Sequence, residues 1–188
     1  MENMINGMIT EEEKALADSS IDMALEAGAS AVQVTLDKAK TEIIALLDGE
    51  IDNIRQTGDR ALTFKVFADG KYGVFSTNRL EAESVKELLK MAVENVRLLA
   101  PDKFRRLPDK EETAKDAIRG DEMELCWDGY DSVTAEQRLD MARRVSVFNE
   151  FSTESTDRDW KLVSEEVEYN NTLTDTYLTS SDRIACRQ

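Results

Sequence analysis

The sequence predicts an α+β protein: an antiparallel meander of about four strands covered by two helices, followed by a helix and further strands. Three observations carry this. Residues 31–77 hold a series of short apolar runs, several alternating with polar residues, as half-buried strands do. Asp-Gly pairs at Asp48-Gly49 and Asp69-Gly70 separate runs by tight-turn chemistry, with no room for crossover helices. Two stretches with helical signals, after Thr10 and after Arg79, flank the runs.

The first helix starts at Thr10. A hydroxyl N-cap is followed by Glu11, Glu12 and Glu13 at the positive helix end. Leu16, Ser20, Met23, Ala24 and Ala27 share a face, and Gly28 is the expected C-terminal stop. So modest an apolar face suits a helix lying on a sheet.

Ala31–Leu36 alternates as a strand. Thr41–Leu47, "TEIIALL", fits a strand or a helix, and the Asp48-Gly49 turn after it favours strand. Glu50–Thr57 reads as a more polar strand anchored by Ile51 and Ile54. Within Gly58–Asn78, Leu62, Phe64 and Val66 alternate, Ala68-Asp69-Gly70 turns, and Tyr72–Thr77 returns. Arg79–Ala100 is the clearest helix. Val85, Leu88, Leu89, Ala92, Val96 and Leu99 form a stripe expected to pack on the sheet of residues 41–77, and Pro101 ends the helix.

Residues 101–120 carry both prolines and many charges, and read as a surface connector. Thr134–Phe148 predicts a third helix, "FNEFSTESTDRDW" a loop, and Trp160–Tyr169 and Thr174–Cys186 two more strands. The expected organisation is a helix–meander–helix unit over 1–100, the connector over 101–120, and over 121–188 a helix plus strands that begin a larger domain. The partner of the last strand is expected beyond Gln188.

Composition excludes several functions. The 188 residues carry a formal net charge of −15. Direct binding to nucleic acid or an anionic membrane, which calls for clustered Lys and Arg, is not expected. The N-terminus lacks a basic region followed by an apolar one, so it does not read as a signal peptide. No stretch approaches membrane-span length, and the sequon Asn170–Thr172 therefore carries no weight. A cytoplasmic location is expected.

Two distant cysteines predict no disulfide framework, with Cys126 beside Trp127 read as a small buried hydrophobe. There is no histidine. That removes Ser-His-Asp and Cys-His nucleophile systems and His-based zinc sites. No glycine-rich phosphate loop or calcium loop is present. Among 39 Asp and Glu, adjacent pairs such as Glu111-Glu112 and Glu165-Glu166 are expected as solvated surface, and Ser180-Ser181-Asp182 as a polar turn. No catalytic, cofactor-binding or metal-binding residue is assigned, and no cofactor is expected in this chain.

The order of pieces resembles the N-terminal part of the TldD/PmbA proteins, also called modulators of DNA gyrase. The residues that carry the resemblance are Ala27-Gly28-Ala29 leading into a strand, the turn Gly49-Glu50-Ile51-Asp52, the hairpin Asp69-Gly70-Lys71-Tyr72-Gly73 with Ser76-Thr77, and Val96-Arg97 at a helix tail. It extends over roughly Thr10 to Arg187. At Arg60-Ala61-Leu62 the sequence departs from the family's usual glycine, which is expected to alter the start of that strand and not the fold. The resemblance implies a cytoplasmic peptidase system in which two related subunits pair and a flexible peptide is cut in an enclosed chamber. It further implies a His-Glu-x-x-x-His zinc motif in the later part of one subunit type. The "LLAPD" stretch is similar to the metal-free PmbA-type arm. Zinc is then expected only beyond this chain or in a partner subunit, and the opening hairpin would shape a chamber wall or a subunit contact. The alternative is an acidic protein-interaction module using a sheet edge or its Glu-rich faces.

Overall fold

A computed structural model describes residues 8–112, 129–182 and 184–187. The element order is α1 (Glu11–Glu26), β1 (Ala31–Leu47), β2 (Glu50–Ala68), β3 (Lys71–Thr77), α2 (Ala82–Val96), α3 (Ala135–Val145), the single turn α4 (Phe148–Phe151), β4 (Glu166–Ser180) and β5 (Ala185–Arg187). The strands form one antiparallel sheet in the order β3-β2-β1-β4-β5, so the expected α+β class holds.

The strands are longer and fewer at the front than the alternation suggested. Ala31–Leu36 and Thr41–Leu47 are one 17-residue strand, and Glu50–Thr57 and Leu62–Phe67 one of 19 residues. The intervening "DKAK" has no turn chemistry, and Gly58 does not take positive φ, so the backbone stays extended through both joints. The departure at Arg60-Ala61-Leu62 leaves β2 unbroken.

Both Asp-Gly pairs do turn the chain. Asp48 and Gly49 have φ of 53° and 82°, and Asp69 and Gly70 of 51° and 71°. Two consecutive positive φ values define the turn whose twist matches a two-residue hairpin.

The compact units are interleaved in sequence. Among the described residues one contains 8–38, 59–112 and 174–187, and the other 39–58 and 129–173. The first holds the main core. Val32, Val34 and Leu36 of β1 and Leu62, Phe64 and Val66 of β2 are wholly buried with Val85, Leu89, Ala92, Val93 and Val96 of α2. α1 adds Ala17, Ile21 and Ala24, centring its buried face between Leu16 and Met23, which are only partly covered. The α2 stripe thus meets residues 62–68 and 32–36. Ile44 and Leu46, within the expected 41–77, are not members of that core cluster, and Leu99 is exposed past the end of the helix.

The helix starts follow their capping residues. Thr10 and Thr134 each accept from the N–H three residues on, and Glu13 and Gln137 return the bond to the cap N–H. The expected helix Thr134–Phe148 ends at Val145, where Ser146 turns extended, and Phe148–Phe151 begins a separate turn within the expected loop.

Towards the end of the chain two expectations are corrected. Residues 160–165 are irregular, and the strand starts only at Glu166. Thr174–Cys186 is not one strand awaiting a partner beyond Gln188. Its first half lies in β4 between β1 and β5, and Leu178 pairs with Cys186 across a hairpin. Cys126 and Trp127 lie outside the described residues.

Leu89 is fully buried in α2. Leu89→Ala is expected to lower the unfolding free energy by about 2–5 kcal/mol in urea melts. A loss below about 0.5 kcal/mol would place the stripe outside the core.

Candidate functional site

In the first unit the polar side chains with buried atoms are tied to one another. Asp175 on β4 is 5% exposed. Its Oδ2 accepts from the Ile9 N–H at 2.7 Å and from Arg187 Nη2 at 2.8 Å, and its Oδ1 from Arg187 Nε at 3.0 Å. Arg187 also donates to the Ile9 carbonyl at 3.0 Å. Burial pushes the Asp175 carboxyl up, but Arg187 and the Ile9 and Met8 N–H groups outweigh it and hold the group below the ordinary range. Lys38 donates to the Met8 carbonyl at 2.9 Å and pairs with Glu13 at 2.7 Å. The Glu13 carboxyl is raised by burial but lowered more by Lys38 and Thr10.

A shallow cleft lies beside this cluster, lined by Asp18, Ile21, Tyr177, Thr179, Ser180 and Ala185. Its phenol is committed: Tyr177 donates to Asp18 Oδ1 at 2.7 Å. Burial first, then Asp18, pushes the Tyr177 hydroxyl up, which suits a bound proton and not a general base.

In the second unit Asp48 organises the β1–β2 turn. Its Oδ1 accepts from Ser164 Oγ at 2.9 Å and from the Glu165 N–H at 2.8 Å, while its own N–H donates to the Glu165 carbonyl at 2.9 Å. Glu165 accepts from Ser146 Oγ and, at 2.8 Å, from the Val147 N–H. Those bonds hold its carboxyl below the usual range. Glu165 is therefore not the free surface acid expected from the Glu165-Glu166 pair. Glu166 and the other pair, Glu111-Glu112, are exposed.

Arg138 on α3 forms an ion pair with Glu42 on β1, the side chains 12% and 5% exposed. The guanidinium also lies over the Tyr130 ring at 5.1 Å, and Asn171 donates to the Tyr130 hydroxyl. Burial lowers the affinity of Arg138 for its proton, Glu42 raises it more, and the net direction is up.

These carboxylates serve as anchors. Each described one with a lowered pKa is held by a cation, a hydroxyl or a backbone N–H. Among the described residues no group of three or more His, Cys, Asp or Glu converges as a metal site. The donor set for zinc is also short in sequence terms, with no histidine in the chain.

What remains uncommitted is surface. Among its described residues the second unit buries Ile44, Leu46 and Ala142 as hydrophobics and exposes Leu47, Ile51 and Ile54 on β1 and β2, Met141 and Val145 on α3, and Val147, Trp160 and Val163 after it. Trp160 stacks on Phe151 at 5.6 Å, and the Arg158 guanidinium lies 4.7 Å and 5.3 Å from the two rings. The same unit holds Glu50–Gly58 of β2, every residue exposed. β3 pairs with β2 only over Leu62–Ala68, so no described strand pairs with this stretch on the side away from β1. Alternation displayed Ile51 and Ile54, but nothing in it signalled that both faces would stay open.

The fold defines a class: an α+β domain built on one antiparallel sheet. Residues 33–96, from β1 to the end of α2, match the family described as PmbA/TldA metallopeptidase domain 1. Over 98 residues, 52% of the chain, it is 31% identical to the Metalloprotease PmbA homolog of Haemophilus influenzae, matching 22% of that protein's length. The fold is similar to a proposed modulator of DNA gyrase from Bacteroides thetaiotaomicron, with a TM-score of 0.76 and 24% identity over 96% of this chain and 39% of the other. It is also similar to TldE from Thermococcus kodakarensis, with a TM-score of 0.62 and 13% identity over 92% and 36%. Over residues 33–96 the chain is similar to the first domain of the TldD/PmbA family, and its fold is similar to the corresponding part of these solved structures. It spans about a fifth of the curated relative and under two fifths of these solved structures.

Two expectations test the anchors. Arg138→Ala leaves Glu42 buried without a counter-charge and is expected to cost about 3–5 kcal/mol in urea melts, whereas Arg138→Met with Glu42→Leu recovers most of it. For Asp175, the folded chain holds a proton less readily than the unfolded one. Its contribution is complete above the unfolded value of about 4 and is lost as pH falls through the lower folded value. Asp175→Asn is expected to flatten that acid limb in melts between about pH 5 and 2.

Proposed function

We propose that this chain is the non-catalytic N-terminal domain of a TldD/PmbA-type cytoplasmic peptidase subunit, shaping a substrate chamber or a subunit contact. The observation that carries the reading is the family match over residues 33–96, which runs through both strands of the long hairpin. The second unit is consistent with it: among its described residues Ile51, Ile54, Trp160 and Val163 are exposed apolar side chains that a subunit contact would cover. The partners are a related TldD/PmbA-type subunit and a flexible peptide substrate of the whole protein. Net charge disfavours nucleic acid and anionic membranes. No helix among the described residues is long and apolar enough to cross a membrane.

With no histidine in the chain, zinc of the family's kind would be held further along the parent protein or in the partner subunit. The metal-free PmbA-type arm fits that lack of donors. An acidic interaction module with no enzymatic relative would use the same exposed surface, but leaves the match at residues 33–96 without a cause.

The purified chain, incubated at neutral pH with an unstructured fluorescent peptide and equimolar zinc, is expected to leave the peptide intact and to retain no stoichiometric zinc after dialysis. Zinc-dependent cleavage that co-purifies with the chain and disappears on chelation would overturn the non-catalytic role.

A further inference from the structure

We infer that the open edge of β2, Glu50–Gly58, pairs antiparallel with the same edge of a second copy of this chain, with Ile54 opposite Ile54. This gives the subunit-contact half of the proposed function a definite surface, and it rests on that reading.

The edge is unusual in length and chemistry. β2 is 19 residues long, and β3 covers only seven of them. The segment contains no proline and no lysine, two of the devices that blunt an edge. Its N–H and C=O groups on that side have no strand partner among the described residues, and its side chains are exposed on both faces. Ile51 and Ile54 are 44% and 56% exposed, an apolar pair on a polar strand.

The occupant follows from symmetry and charge. Two copies related by a two-fold axis through the ladder place one residue opposite itself, which restricts the registers. Centring on Arg55 would set two guanidiniums face to face. Centring on Gln56 would draw in Arg60, which is bonded to the Asn78 carbonyl at 3.1 Å beside the start of β3. Centring on Ile54 stays within Glu50–Gly58. It sets Glu50 against Gly58, Ile51 against Thr57, Asp52 against Gln56 and Asn53 against Arg55, with no like charges directly opposed. The segment's two acids and one arginine leave it a net charge of −1, and this register sets none of the three opposite a like charge.

The test uses the chain as it stands. Analytical ultracentrifugation across roughly 1–200 µM is expected to show reversible dimerisation. Ile54→Lys puts two ammonium groups in opposition and should raise the dimer Kd at least tenfold, about 1.4 kcal/mol, with the melting temperature of the dilute monomer nearly unchanged. Ile54→Glu should do the same, and mixing the two variants should restore dimers. A monomer at every concentration overturns the proposal, as does a dimer indifferent to Ile54→Lys, or loss on both substitutions without rescue on mixing. Peptide cleavage by the chain would overturn the non-catalytic reading and leave this result standing, so the two failures are distinguishable.

Discussion

The fold depends on the ladder between β1 and β4. It brings together residues more than a hundred positions apart in constant register. Val32 accepts and donates at Ser181, Asp37 accepts from Thr176 Oγ1 at 2.7 Å, Thr41 meets Thr172, and Asp48 binds Glu165. A slip of one residue would turn Asp175 and Tyr177 out of the interior and break Ile9–Asp175–Arg187 at once. Both the polar anchors and the turn at Asp48 exist because this register holds.

That constraint also brings the buried polar groups to their partners. A buried carboxylate without a partner would be destabilising, so Asp175 and Glu42 are each supplied with an arginine, and Tyr177 with an acid. Groups satisfied in this way hold a structure in place. Among the described residues the exposed large apolar side chains lie on both units, Leu98 and Phe104 in the first and Trp160 and Val163 in the second among them.

Local chemistry made much of the fold readable. Thr10 and Thr134 with their return partners Glu13 and Gln137, the two Asp-Gly turns, and the stripe Val85–Val96 all act over four residues or fewer, and each lies where its chemistry requires. The lengths of β1 and β2 were not readable. Alternation weakens at "DKAK" and through Glu50–Arg60, where little is buried, and strand continuity there comes from backbone pairing, which leaves no side-chain pattern. The anchors were hidden for another reason: Asp175, Glu165 and Glu42 are three acids among 39, distinguished only by a partner far along the chain. The absence of a histidine was readable at once, and it bore directly on the zinc question.

The position of β4 between β1 and β5 has a consequence for biosynthesis. On the ribosome α1, β1, β2, β3 and α2 emerge in sequence, and their contacts are close along the chain. The far side of β1 then waits for β4, which begins at Glu166, some 120 residues behind the end of β1. Closing so wide a loop is slow compared with forming a hairpin. Through that interval β1 offers a long row of free backbone groups to any neighbouring nascent chain, so the vulnerable period of this protein is set by the translation time of residues 48–180.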